Sequence, residues 1–376
     1  MNVHVGALTR EKPPFRAEHI GSLLRPAALL EQRARFARGE ISQNDLTTAE
    51  NAAICDAIAL QERLGLRFVT DGEFRRRSYH SFFYQQLGEL SIDTIAGADA
   101  KGGSGRGDQP MALVKSRVRW THPINVDDFN FLKNRTTLLP KITIPGPCAL
   151  HFRGGDAAVL AHAYRDIDQF WEDTIEAFTK ELSALAQAGC RYVQIDETAF
   201  AKFGDPDVQA TLAARGDEWS SLIDTYISVT NRVLRAAPEA LHIGMHLCRG
   251  NRGGHWHAEG SYEEVAERLF NALDIPFYFL EYDTQRAGNF TPLRFVPKHK
   301  SVVLGLISSK TATMEDKGTL RARVENASRH VSLDRLAVSP QCGFASVETG
   351  NPVTPQVQEA KLCLAVELAR DIWGES

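Results

Sequence analysis

The sequence predicts an α/β protein, a (β/α)8 TIM barrel with an extra excursion after strand 2. Three observations predict it. Short apolar runs alternate with longer stretches of helical periodicity, as in a parallel sheet covered by helices. Eight such runs occur, at 17–20, 68–70, 142–144, 192–195, 242–247, 277–280, 302–306 and 336–338. Each ends in polar residues, and no G-x-G-x-x-G follows the first run, which argues against an open dinucleotide-binding sheet.

Helices are predicted near 43–64, 166–188, 217–236, 262–273, 315–329 and 354–373. Ser42 supplies a start signal, Pro238 follows a helix end, and Pro352 and Pro355 lead into the last helix. Residues 84–140 break the repeat and read as an inserted loop or hairpin region within a single domain spanning 1–376. Their glycine-rich run, 97–109, has no Lys-Ser/Thr and no helix start, so it reads as a loop and not as a phosphate cradle. The alternation over 111–120 predicts an extra strand beside the rim. A second excursion, 251–260, carries His255 and His257 on a glycine-rich loop and reads as a lid or surface turn.

With 376 residues and 43% hydrophobic content, the chain can build a large core without disulfides. A net charge of −4, with acids and bases mixed, leaves no electrostatic footprint for nucleic acid and no polybasic membrane patch. No apolar run approaches the ~20 residues of a membrane span, and the N-terminus lacks a secretory pattern. The expectation is a cytoplasmic protein acting on small molecules, with a homo-oligomer left open. Six cysteines in a chain this long do not make a disulfide framework. Cys55, Cys190 and Cys363 read as packing residues, and Cys148 follows Pro-Gly-Pro at a strand end.

In a barrel the strand endings meet at one rim, where chemistry collects. Here they are Gly21-Ser22, Asp71-Gly72-Glu73, Pro145-Gly146-Pro147, Asp196-Glu197, His246 with Cys248, Glu281-Tyr282-Asp283, Ser308-Ser309-Lys310 and Gln341-Cys342. Some, such as Ser22 and Ser309, could be no more than helix caps. His246 and Cys248 are different: side chains two apart in a strand share a face, so an imidazole and a thiol aim at one point. A lone His-x-Cys is as readily a core pair. Glu281 and Cys342, at later strand ends, complete a His/Cys2/Glu set of zinc type. Ligands drawn from three strand ends suit a catalytic ion better than a structural knuckle. Two thiolates and a carboxylate bring the net charge around Zn2+ to about −1, a shell suited to activating a soft nucleophile such as a thiol.

Seven ordered motifs carry a family resemblance. They are the runs beginning at His19, Thr70-Asp71-Gly72-Glu73, Val193-Gln194-Ile195-Asp196-Glu197, Met245-His246-Leu247-Cys248, Leu280-Glu281-Tyr282-Asp283, Gly305-Leu306-Ile307-Ser308-Ser309-Lys310 and Ser339-Pro340-Gln341-Cys342. Together they resemble the C-terminal catalytic barrel of the cobalamin-independent methionine synthase family. The resemblance implies a zinc-dependent methyl transfer to homocysteine through a zinc-bound thiolate, with a methylated folate or another methyl donor. It implies His246, Cys248, Glu281 and Cys342 as zinc ligands, with Glu281 loosened when the thiol enters. Ile20, Gly21 and Ser22 would hold the amino-acid carboxylate, and Glu73 and Asp196 the ammonium group, with Asp196, Glu73 and Ser308 counted as catalytic. Where full-length relatives have a histidine to protonate the leaving folate nitrogen, this chain has Ser308. Serine is no general acid near neutral pH unaided, so the donor stays open. The alternative is a related zinc-dependent thiol transferase with another electrophile, such as an epoxide opened by a sulfonate thiol, for which Arg75 and Arg77 are nearby cations.

Overall fold

The computed structural model describes residues 13–88, 90–95 and 109–375. In chain order its strands are β1 (Phe68–Val69), β2 (Ser91–Ile95), β3 (Gln109–Leu113), β4 (Leu139–Pro145), β5 (Tyr192–Asp196), β6 (His242–Leu247), β7 (Phe277–Glu281), β8 (Ser301–Ile307) and β9 (Leu336–Pro340). Seven of them form one sheet, β1-β4-β5-β6-β7-β8-β9, with every neighbouring pair parallel. The architecture is thus an α/β sheet consistent with a TIM-like barrel. Strands β5 to β9 are buried along their whole length. Helices cover one face and core side chains the other, so these strands read in the sequence as unbroken apolar runs.

Residues 17–20, expected as the first strand, do not form a ladder. Ala17 makes one parallel bridge to Val338 of β9. Side chains from inside the sheet also hold the segment. Lys141 Nζ donates to Glu18 Oε2 (3.2 Å) and to the His19 carbonyl (2.7 Å). Tyr192 donates to Glu18 Oε1 (2.7 Å), and Gln194 Nε2 to the Ile20 carbonyl (2.7 Å). A buried acid three residues before a rim glycine thus adds to the backbone bonds that Arg16 and Glu18 exchange with Val338.

The six expected long helices are Gln43–Leu64, Ile167–Gln187, Trp219–Ala236, Glu263–Ala272, Lys317–Ala327 and Pro355–Trp373. Ser42 caps the first of them in a reciprocal box with Asp45, satisfying amides that the helix start leaves open. Between β1 and β4 the chain forms helix Ser81–Gln85, the antiparallel pair β2–β3 and helix Val126–Lys133. The strand expected over 111–120 lies further upstream, as Gln109–Leu113, and Trp120 makes only an isolated bridge to Leu87. Of the glycine-rich run 97–109, residues 97–108 lie outside the described residues. Short helices Ala149–Phe152 and Ala199–Lys202, which carried no sequence signal, follow β4 and β5 and border the rim. Among the described residues, no helix is long and apolar enough to cross a membrane.

Candidate active site

Parallel register brings the predicted residues together. Asp196 at the end of β5 sits opposite His246 in β6, and Leu247 opposite Leu280, which places Glu281 one step further along the same rim. Cys342 comes just after β9, where a register irregularity between Gly305 and Ile307 bends the ladder. His246, Cys248 and Cys342 offer ligand atoms that all lie within 4.8 Å of one another, and all three residues are buried.

The electrostatics of this group fit a soft divalent cation. Neither ring nitrogen of buried His246 has a hydrogen-bond partner, an expensive arrangement unless something else binds the lone pair. The Cys342 thiol is held well below the usual range by the Cys248 thiol, which shares its proton, against the effect of burial and with help from His246 and Lys310. Cys248 is pushed up in turn, first by Cys342 and then by burial. Two thiols and an imidazole buried together are the donor set that a thiolate-binding ion takes up. Glu281 is not part of the close group. Its Oε1 accepts from Arg286 Nη2 (2.5 Å) and Lys310 Nζ (3.2 Å), and its Oε2 from the Arg249 amide (2.6 Å). Burial raises the proton affinity of Glu281, but Lys310, Arg286 and Arg249 outweigh it and keep the carboxylate ionised.

The three ligands open on a cavity that Ile20, Ser22, Glu73 and Asp196 also line. Gly343 lines this cavity, and Gly21 packs against Thr143 and Glu73. A Cβ on Gly21 (φ 131°) would fall 2.6 Å from Thr143 Cγ2, and one on Gly343 would fall 1.9 Å from Ser22 Oγ. Only glycine allows these segments to approach so closely. Glu73 has φ 59°, the sole positive φ outside glycine among the described residues. Its amide donates to Asp71 Oδ1 (2.8 Å) and its carbonyl accepts from Arg25 Nη2 (2.7 Å), which holds the strained backbone in place. Thr143 Oγ1 donates to Glu73 Oε1 (2.8 Å), while Oε2 has no hydrogen-bond partner and lies 3.9 Å from Arg76 Nη1. Burial raises the Glu73 carboxyl and pushes Asp196 up to about 7. Both are acids whose charge a ligand cation would stabilise.

Three predicted residues, Gly21, Glu281 and Ser308, are not on the cavity wall. Gly21 lies behind Ser22, and Ser308 turns away: its amide donates to Glu315 Oε1 (2.8 Å) and its hydroxyl accepts from the Lys310 amide (3.3 Å). Cys148 is also turned inward, against Thr230 and the Tyr226 carbonyl. The wall contains further residues for which the sequence offered no signal: Tyr79, His80, Arg153, Lys202 and Arg252. Burial lowers Lys202 to about 8 and His80 to about 3. His257, read as part of a lid or turn, lines the cavity as well.

A family comparison bears on this arrangement. Residues 15–369 match the family described as cobalamin-independent synthase, catalytic domain. The chain belongs to that family. As a catalytic domain of this family it is a methyltransferase. It is 38% identical to the uncharacterized protein YxjG of Bacillus subtilis, over 98% of this chain and 97% of that one. A 5-methyltetrahydropteroyltriglutamate–homocysteine methyltransferase of Mycolicibacterium paratuberculosis is 26% identical over 90% of this chain but only 41% of its own length. Among solved structures, a candidate vitamin-B12 independent methionine synthase from Listeria monocytogenes superposes with a TM-score of 0.73 at 33% identity. It covers 97% of this chain and 99% of its own. A B12-independent methionine synthase from Shewanella, solved with selenomethionine, shares the fold with a TM-score of 0.70 at 21% identity.

Proposed function

We propose that this methyltransferase moves a methyl group to the sulfur of homocysteine, forming methionine, at a zinc ion held by His246, Cys248 and Cys342 with Glu281 as the fourth, weaker ligand. The observation that carries the reading is the buried group of one imidazole and two thiols, with both imidazole nitrogens unpaired, opening on a cavity lined by two buried acids. Bound there, zinc would lower the proton affinity of an incoming thiol so that its sulfur is nucleophilic at neutral pH. The remaining work falls to the chain. Asp196 and Oε2 of Glu73, which accepts no hydrogen bond, receive the ammonium group, and Ile20, Gly21 and Ser22 bind the carboxylate with backbone and hydroxyl donors, Gly21 through its backbone alone. Those contacts orient the sulfur toward the donor carbon. Ser308 does not face the cavity, so protonation of the leaving group falls to the donor's own chemistry or to solvent. The donor is a methylated folate or another methyl compound. The chain works as one domain, 1–376, with 84–140 as an insertion. Its six unpaired cysteines fit a reducing, cytoplasmic setting.

A second reading keeps the thiol and changes the electrophile, as in an epoxide-opening thiol transferase. Arg153 and Lys202 on the cavity wall favour it, because they would suit an anionic thiol such as a sulfonate. One experiment separates the readings. Purified zinc-loaded protein is supplied with homocysteine and a panel of methyl donors, or with 2-mercaptoethanesulfonate and epoxides. Methionine formation, lost in His246→Ala and Cys342→Ser along with bound zinc while circular dichroism stays unchanged, supports the first reading. Absence of methionine with every donor would sink it.

A further inference from the structure

Glu281 is the one proposed ligand whose oxygens are already engaged, and the residues that engage it are themselves buried. Arg249 is fully buried, Lys310 is 4% exposed and Glu281 is 0% exposed. The three cations differ in their other ties. Arg286 also pairs with Asp283 (3.4 Å) and lies over the Trp256 ring (4.6 Å). Arg249 lies over the Tyr262 ring (4.2 Å) and donates to the Glu281 carbonyl (3.3 Å). Lys310 has a single ion pair among the described residues, to Glu281 Oε1 (3.2 Å), and its charge also reaches Cys342. It is thus the cation tied to the carboxylate alone, three residues beyond the end of β8.

Resting on the zinc site proposed above, we propose that Lys310 is the positioning residue that sets how firmly Glu281 engages the metal, because ammonium and metal compete for the same carboxylate oxygen. Charge balance makes the competition useful. Two thiolates and a carboxylate around a divalent ion already sum to about −1, and an added thiolate would take the sum to about −2. A carboxylate with a preformed cationic cradle can leave that shell without becoming a buried unpaired charge. Lys310 thus favours thiol entry at the cost of metal affinity, and it does so through Glu281.

A double-mutant cycle isolates that route. Zinc affinity is measured by chelator competition for the wild-type chain, K310M, K310R, E281Q and K310M/E281Q. Homocysteine affinity is read from the visible spectrum of the cobalt(II)-loaded proteins. The expected result is zinc binding about 10-fold tighter in K310M than in wild type, but changed by no more than about twofold between E281Q and K310M/E281Q. Homocysteine binding falls about 10-fold in K310M, and K310R stays close to wild type on both readouts. Equal tightening in both backgrounds would show that the lysine merely repels the metal, and no change in K310M would show that it takes no part; either overturns the proposal. Wild-type protein that binds no zinc would overturn the metal site itself and this proposal with it.

Discussion

Asp196 shows how a single side chain states its own requirement. Its Oδ1 accepts from Gln194 Nε2 (2.7 Å), and burial pushes its carboxyl up to about 7. A carboxylate on the wall of a cavity, its burial opposed chiefly by His246, is stabilised further when a ligand brings a cation. Asp196→Asn should therefore raise the Kd for homocysteine by roughly 30-fold, about 2 kcal/mol, while leaving the affinity for 4-mercaptobutyrate, which lacks the ammonium group, within about twofold. Calorimetry on the zinc-loaded protein measures both, and equal losses for the two thiols would remove the ammonium role. Residue identities of this kind were legible in the sequence because period-two alternation aims His246 and Cys248 alike and places acids at strand ends. The cations around Glu281 were not legible. Arg249, Arg286 and Lys310 follow three different strands, and only the folded sheet brings them onto one carboxylate.

At the scale of elements, the segment before Gly21 is the informative one. An apolar-flanked run at 17–20 reads as a strand, yet only Ala17 pairs with β9. Beyond that pairing the segment is held by backbone bonds at Glu18, Ser22 and Leu23 and by the Glu18 side chain, which is buried with Lys141 and Tyr192. Burial pushes the Glu18 carboxyl up to about 6, with Lys141 and Tyr192 opposing that rise. Lys141→Met should cost about 3–5 kcal/mol, because it leaves an uncompensated buried carboxylate. The double variant Glu18→Gln/Lys141→Met should recover most of that loss. Urea unfolding followed by tryptophan fluorescence provides the check, and a Lys141→Met cost below about 1 kcal/mol would mean that the pair does not anchor the segment. Ladder hydrogen bonds leave a periodic signature in sequence, whereas a buried Glu–Lys–Tyr contact across more than a hundred residues leaves none. Helices Ala149–Phe152 and Ala199–Lys202 escaped for a related reason: each is a single turn, too short to show periodicity.

Across the whole molecule, the parallel sheet does for chemistry what no local motif could. It carries His246 and Cys248 from the end of β6, Cys342 and Gly343 from the turn after β9, and acids from the turn after β1 and the end of β5 to one cavity. The order of strand endings was legible because each strand is apolar throughout and each ending is abruptly polar. Cavity cations and the inward turn of Ser308 depend on loop conformations that strand patterning does not encode. The central claim is that this rim holds zinc with two cysteine sulfurs and admits a third sulfur from the substrate. X-ray absorption at the zinc edge counts those sulfurs directly. The account predicts two sulfur neighbours in the zinc-loaded protein and three after saturation with homocysteine. A count that stays at two with homocysteine bound would contradict it.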